Sequence, residues 1–220
     1  MQTKFELLVF DWDGTLMDSV EHIVAALIAA AKDINAPERH HTELRDIIGL
    51  GLSEALERLY PDMNDNEISN LCDRYRYHFV EASTVQSALF SGAEQMLQRL
   101  QTKDLKLAVA TGKARVGLQR VFDDTGYGNF FHSSRCADES GSKPQPHMLH
   151  EIMQELDVPP EKTIMIGDTA YDMEMASNAG TSSLAVSYGV HDCQRMGQFS
   201  PLDCVHSIEE LDAWLHAHTP

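Results

Sequence analysis

Basic residues are scarce in this 220-residue chain: 17 stand against 34 acids, for a formal net charge of -17. A general nucleic-acid or anionic-membrane surface needs a basic face, so neither is an expected partner. An anionic ligand would be repelled at long range and would need a local cation, either lysine or a bound metal. Cysteine is sparse too. Cys72, Cys136, Cys193 and Cys204 lie far apart with no Cys-x-x-Cys pair, which suggests neither a zinc cluster nor a disulfide framework. No run approaches the roughly 18 apolar residues of a membrane span. The N-terminal apolar stretch is too short, and too soon broken by acids, to read as a secretory signal. Cytoplasmic residence is the resulting expectation. The remaining composition is that of an ordinary globular protein, long enough for one large domain or a domain with an insertion.

The most informative stretch opens the chain. An apolar, β-prone run from Phe5 to Phe10 ends in two acids, Asp11 and Asp13, separated by Trp12. Side chains alternate along a strand, so both acids would leave its end on the same side. Gly14 then permits a sharp turn. An acid at the end of a buried strand has to be paired, protonated or bound to a metal.

From Leu16 to Leu89 the pattern is helical, with apolar residues three and four apart and no convincing strand. Asp18-Ser-Val-Glu21 fits a helix N-cap with an acid three positions on, so Asp18 reads as a cap. After Phe90 short apolar runs alternate with helices. Strands are predicted at Leu105–Thr111, Phe130–Ser134, Thr163–Gly167, Ser183–Ser187 and Asp203–His206. That alternation predicts an α/β fold, a Rossmann-like parallel sheet with helices on both faces. The helical block reads as an all-helical insertion directly after the first strand. The predicted division is a core of residues 1–15 and 90–220, and an inserted unit of residues 16–89.

Ligands of doubly wound sheets sit beyond the carboxyl ends of the strands, where this sequence concentrates its unusual residues. Asp11 and Asp13 end the first strand. Thr111-Gly112-Lys113 ends the second, with a hydroxyl and exposed amides suited to phosphate. Gly167-Asp168-Thr169 ends the fourth, and Asp172 lies just inside the next helix. Lys143 stands between Ser142 and Pro144 in the intervening loop. Carboxylates gathered at one point suit Mg²⁺ rather than Zn²⁺.

These segments resemble, in order, the four motifs of haloacid dehalogenase-like phosphatases whose small helical cap follows the first strand. They are Asp11-Trp-Asp13-Gly-Thr15, Thr111, Lys143-Pro144 and Gly167-Asp168-Thr-Ala-Tyr-Asp172. Within that group the chain is most similar to phosphoglycolate phosphatases, through Gly14-Thr-Leu-Met-Asp-Ser19 and Arg45-Asp-Ile-Ile-Gly49-Leu-Gly51. The resemblance implies a Mg²⁺-dependent phosphatase acting on a small phosphate ester, phosphoglycolate-like or a sugar phosphate. Asp11 would be the nucleophile that forms an aspartyl-phosphate, Asp13 the general acid and base, and Lys143 the neutralising cation. Thr111 and the Gly112 amide would bind phosphate. The metal set implied is Asp11, the Asp13 carbonyl, Asp168 and Asp172.

The resemblance also sorts related chemistries. Relatives that dehalogenate carbon lack an acid two positions after the nucleophile, and phosphonate-cleaving relatives need a cap lysine. Lys32 is the only lysine between Lys4 and Lys103, and it reads as an ordinary surface residue. Sugar-phosphate mutases share the motifs but carry a cap histidine one position beyond His22. His22 therefore reads as a helix-surface residue, as do the other ten histidines, and phosphatase is preferred over mutase. Arg45 is the candidate for a substrate carboxylate, by bidentate pairing. A catalytically silent phosphate-ester-binding protein is the alternative from another class.

Overall fold

The computed structural model describes residues 5–82 and 87–220. Residues 83–86 of the expected insertion lie outside that description. The strands are β1 (Leu7–Phe10), β2 (Met17–Asp18), β3 (Ala88–Leu89), β4 (Lys106–Thr111), β5 (Ser133–Cys136), β6 (Thr163–Gly167), β7 (Ser182–Val186) and β8 (Cys204–Val205). Six form one parallel sheet in the order β5-β4-β1-β6-β7-β8. The sheet is the one expected from the run of short apolar segments.

Period-two alternation explains how β1 is buried on both sides. Leu8 and Phe10 join a cluster with Met96, Leu97, Leu118, Leu211 and Leu215. Leu7 and Val9 point the other way, against Met148, Leu149, Ile152 and Met175. The helices supplying those residues are α5 (Ala93–Gln101), α6 (Arg115–Thr125) and α11 (Ile208–His218) on one face. On the other lie α8 (His147–Leu156) and α9 (Ala170–Ala179). Two four-residue helices, α7 (Ala137–Ser140) and α10 (Cys193–Met196), lie in the connections.

Between β2 and β3 the chain forms α1 (Val20–Asp33), α2 (His41–Asp46), α3 (Leu52–Leu59) and α4 (Asp65–Val80). Their inward residues, among them Val24, Leu27, Leu44, Leu56 and Leu71, make a separate apolar cluster joined by Tyr171 of α9. No helix among the described residues is long and apolar enough to cross a membrane.

Several local expectations are corrected. Asp18 is not a cap: it lies exposed in β2, paired with Ala88, and α1 starts at Val20 with Ser19 in the cap position. The ribbon holds residues 17 and 18 extended, which the helical periodicity around them concealed. The stretch read as helical does contain strand, at β2 and β3. The strand expected at Phe130 starts instead at Ser133, after a short turn of 3₁₀ helix. Cys193 and Cys204 form a disulfide that their spacing did not suggest. The chain folds back from α10 to β8 and brings the two Cα atoms to 6.0 Å.

Candidate active site

β1 lies between β4 and β6 in level register, with Phe10 opposite both Val109 and Ile166. The carboxyl ends of three strands therefore open at one place. Asp11 continues the ladder for one more bond, its amide donating to the Ile166 carbonyl at 2.9 Å. The chain then turns tightly, with the Leu16 and Met17 amides both donating to the Trp12 carbonyl. Gly14 makes the turn possible at φ +84°, and a Cβ there would lie 2.2 Å from Asp168 Oδ2.

Four of the expected groups form one buried charge cluster. Lys143 Nζ is 2.7 Å from Asp11 Oδ1 and 2.6 Å from Asp172 Oδ1, with the lysine fully buried. Asp11, Asp168 and Asp172 each present a carboxylate oxygen within 4.8 Å of the others. Asp168 is aimed from two sides, accepting from Thr15 Oγ1 at 2.9 Å and from the Val190 amide at 2.8 Å. Asp172 caps α9 as well as serving the cluster. Its Oδ2 accepts from Thr169 Oγ1 and the Thr169 amide, while Oδ1 faces Lys143.

The electrostatics follow from burial. Desolvation raises the Asp11 carboxyl well above the ordinary range, with Lys143 only partly offsetting it. Burial, then repulsion from Asp172, pushes Asp168 up to about 7. Burial alone would lower Lys143, but the Asp11 and Asp172 carboxylates more than reverse this and raise it. Three carboxylates therefore share one ammonium, and the cluster is short of positive charge. Asp11 Oδ2 is buried with no hydrogen-bond partner among the described residues. An all-oxygen set with an unsatisfied anionic oxygen fits a hard divalent cation.

Asp13 stands apart from that trio. Its Oδ1 accepts from Ser19 Oγ at 2.7 Å, and its Oδ2 pairs with Lys113 Nζ at 2.9 Å. Thr111 is buried, its Oγ1 accepting from the Lys113 amide at 3.1 Å. Gly112 follows at the mouth of the cleft, where a Cβ would meet the Leu50 carbonyl at 2.4 Å. The helical block thus rests directly on the β4 end. Asp11, Asp13, Thr111, Gly112 and Lys113 all line one cleft of about 1100 Å³ between that block and the sheet.

The pattern of haloacid dehalogenase-like hydrolases matches residues 8–186, most of the chain. The chain belongs to that family. A relative from Dickeya dadantii, "Probable phosphatase IndB", is 30% identical over 96% of this chain and 94% of its own length. A phosphoglycolate phosphatase from Colwellia psychrerythraea is 26% identical over 94% and 95% respectively. The crystal structure of a hydrolase from Pseudomonas syringae superimposes with TM-score 0.88 at 23% identity, covering 100% of both chains, which shows the shared fold.

Other expectations fare differently within this hydrolase. Arg45 is not in the cleft: its Nη1 pairs with Glu21 Oε1 at 2.5 Å and its Nη2 donates to the Gly189 carbonyl at 2.9 Å. Its partner Glu21 lies on the neighbouring helix α1. His22 is not a surface residue. It is 9% exposed, lines the cleft, stacks on Phe79 at 4.2 Å and shares a 3.0 Å hydrogen bond with Ser87. His191 is buried too, its Nδ1 accepting from the Ala170 amide at 2.9 Å. Lys113, Ser19, His22 and the Val190 amide are the site groups that sequence reasoning missed. Lys113 left a signal as the third residue of Thr111-Gly112-Lys113, and Ser19 as the last of Gly14-Thr-Leu-Met-Asp-Ser19.

Proposed function

We propose that this phosphatase of the haloacid dehalogenase-like family uses Mg²⁺ to hydrolyse a small phosphorylated metabolite through an aspartyl-phosphate intermediate. A sugar phosphate or a phosphoglycolate-like ester is the substrate type. The observation that carries the reading is Asp11 Oδ2, a buried carboxylate oxygen left unpartnered beside two further acids and one lysine. Asp11, Asp168, Asp172 and the Asp13 carbonyl would hold the ion. When bound, it supplies positive charge that lessens repulsion between carboxylate and phosphate.

The protein groups do the rest. Lys143 fixes one oxygen of Asp11, which orients the carboxylate as the nucleophile. Thr111 Oγ1 accepts from a backbone amide and so keeps its own proton for a phosphate oxygen. Asp11 attacks phosphorus in line, the bond from phosphorus to the alcohol oxygen breaks, and Asp13 gives that oxygen a proton. Asp13 then takes a proton from the water that attacks the phosphoenzyme, releasing phosphate and restoring Asp11. Acid–base assistance of this kind contributes about 10²–10⁴ in rate. Residues 16–89 act as a cap that closes over the cleft and excludes water. We place the enzyme in the cytoplasm, with the metabolites it serves.

The test is hydrolysis of an aryl phosphate with and without Mg²⁺. Turnover abolished by EDTA and by Asp11→Asn supports the enzyme, whereas tight ester binding without turnover makes the chain a silent binder. One observation, the His22 ring facing the cleft, favours mutase chemistry as a second reading. That reading predicts a rearranged phosphorylated product in place of inorganic phosphate.

A further inference from the structure

The whole cleft, phosphate end included, measures about 1100 Å³, just above the roughly 300–1000 Å³ of pockets that hold drug-sized ligands. A two-carbon acid would leave most of it empty. Its walls carry three cationic side chains, and each is already paired with an acid that also lines the cleft. Lys113 holds Asp13 at 2.9 Å, Arg76 holds Asp73 at 2.8 Å, and Arg120 lies 3.7 Å from Asp124. Lys143 is buried behind them on Asp11 and Asp172. Glu81, also on the wall, has no cation among those described there. Away from the phosphate the cleft is therefore net acidic. A second anion on the substrate would meet that net negative charge, and each cation on the wall already faces an acid, Arg76 and Arg120 in exposed pairs.

One wall offers something else. The rings of Tyr75 and Phe79 lie 5.6 Å apart and 22° from parallel, and Phe79 stacks on His22 at 4.2 Å and 17°. All three line the cleft. His22 Nε2 is buried and without a hydrogen-bond partner among the described residues. Burial and the Lys113 charge hold this imidazole below its usual range, so it offers a neutral nitrogen rather than a cation. The rings stack on one another, with Lys113 Nζ 4.8 Å from the Phe79 centroid, so this wall offers aromatic surface beside a neutral hydrogen-bonding group, which suits a cyclic partner with polar but uncharged edges.

We propose that the alcohol portion of the substrate is uncharged and ring-bearing, laid against Tyr75, Phe79 and His22, and that a second anionic group on it is selected against. The proposal rests on the phosphatase reading and narrows it, away from phosphoglycolate-like esters and toward cyclic alcohols. It also parts this chain from those relatives that are named for phosphoglycolate.

The test compares 2-phenylethyl phosphate with 2-(4-carboxyphenyl)ethyl phosphate, two esters of the same leaving-group basicity that differ by one distant carboxylate. With the wild-type protein and Mg²⁺, kcat/KM is expected to be about tenfold higher for the neutral ester, the difference lying in KM. Phe79→Leu should shrink the advantage of 2-phenylethyl phosphate over ethyl phosphate by about threefold, and an unchanged advantage overturns the ring seat. Equal or faster turnover of the carboxylated ester overturns the charge selection while leaving the phosphatase reading intact. If neither ester is hydrolysed, the aryl phosphate assay tells whether the phosphatase reading stands, and calorimetric titration of the same two esters decides the inference. Tighter binding of the neutral ester supports it, and equal, tighter carboxylate or absent binding refutes it.

Discussion

Lys113 Nζ lies 2.9 Å from Asp13 Oδ2 while the same ammonium sits 4.8 Å from the centre of the Phe79 ring. One side chain thus joins the acid at the end of β1 to helix α4 of the helical block. Ser19 holds the other oxygen of Asp13, so the carboxylate is fixed at both ends. Its aim depends on how the helical block sits.

Lys113→Met should therefore act through Asp13. Losing a charge-assisted hydrogen bond of about 1.5–3 kcal/mol is expected to lower kcat roughly tenfold on alkyl phosphates. Aryl phosphates, whose leaving groups need little protonation, should lose much less. The double variant with Asp13→Ala should be no worse than Asp13→Ala alone. Additive losses in steady-state kinetics would mean that Lys113 serves some other group.

Mg²⁺ binding should depend on pH in a defined direction. Asp168, held at about 7, and Asp11, raised by burial, must lose protons before they can coordinate an ion. A folded-state value raised above the unfolded one means extra bound protons in the metal-free fold, and these compete with the metal. The rise in Tm on adding Mg²⁺ is expected to be larger at pH 8 than at pH 6. A larger rise at pH 6 would contradict the cluster as described.

Among the described residues Lys143 is the only ammonium between Asp11 and Asp172, and all three are buried. Lys143→Met leaves two close carboxylates uncompensated, at a cost of about 3–5 kcal/mol in EDTA. Mg²⁺ should restore part of that loss. Urea unfolding reads both effects, and a cost under about 1 kcal/mol would show that the ion pairs do not hold the site together.

Much of this site was legible before any coordinates, because it sits where strands end. A short, wholly apolar run marks β1, acids cannot end a buried strand without partners, and the four family motifs in order single out Asp11, Lys143 and Asp168. Parallel topology then placed them together. Groups invisible in the sequence depend on contacts across the fold. His22, one position short of the mutase histidine, reads as helix surface, and nothing near it in the sequence shows that α4 brings Phe79 over it. His191 and the Val190 amide act from a loop that returns beside Asp168. The Cys193–Cys204 disulfide is likewise a product of the turn between α10 and β8.

Arg45 illustrates the same limit from the other side. A guanidinium near a glycine-rich loop looked fit for a carboxylate, yet Glu21 and the Gly189 carbonyl engage it. Arg45→Ala is accordingly expected to shift KM for neutral and carboxylate-bearing esters alike. A rise confined to carboxylate-bearing esters would return Arg45 to substrate recognition.

The most direct test of the account is to acid-quench the enzyme during turnover of an aryl phosphate with Mg²⁺ and map the phosphate adduct by mass spectrometry. The account predicts an acid-stable, base-labile adduct on the peptide carrying Asp11, absent in Asp11→Asn. An adduct on another residue, or steady turnover by Asp11→Asn, would contradict it.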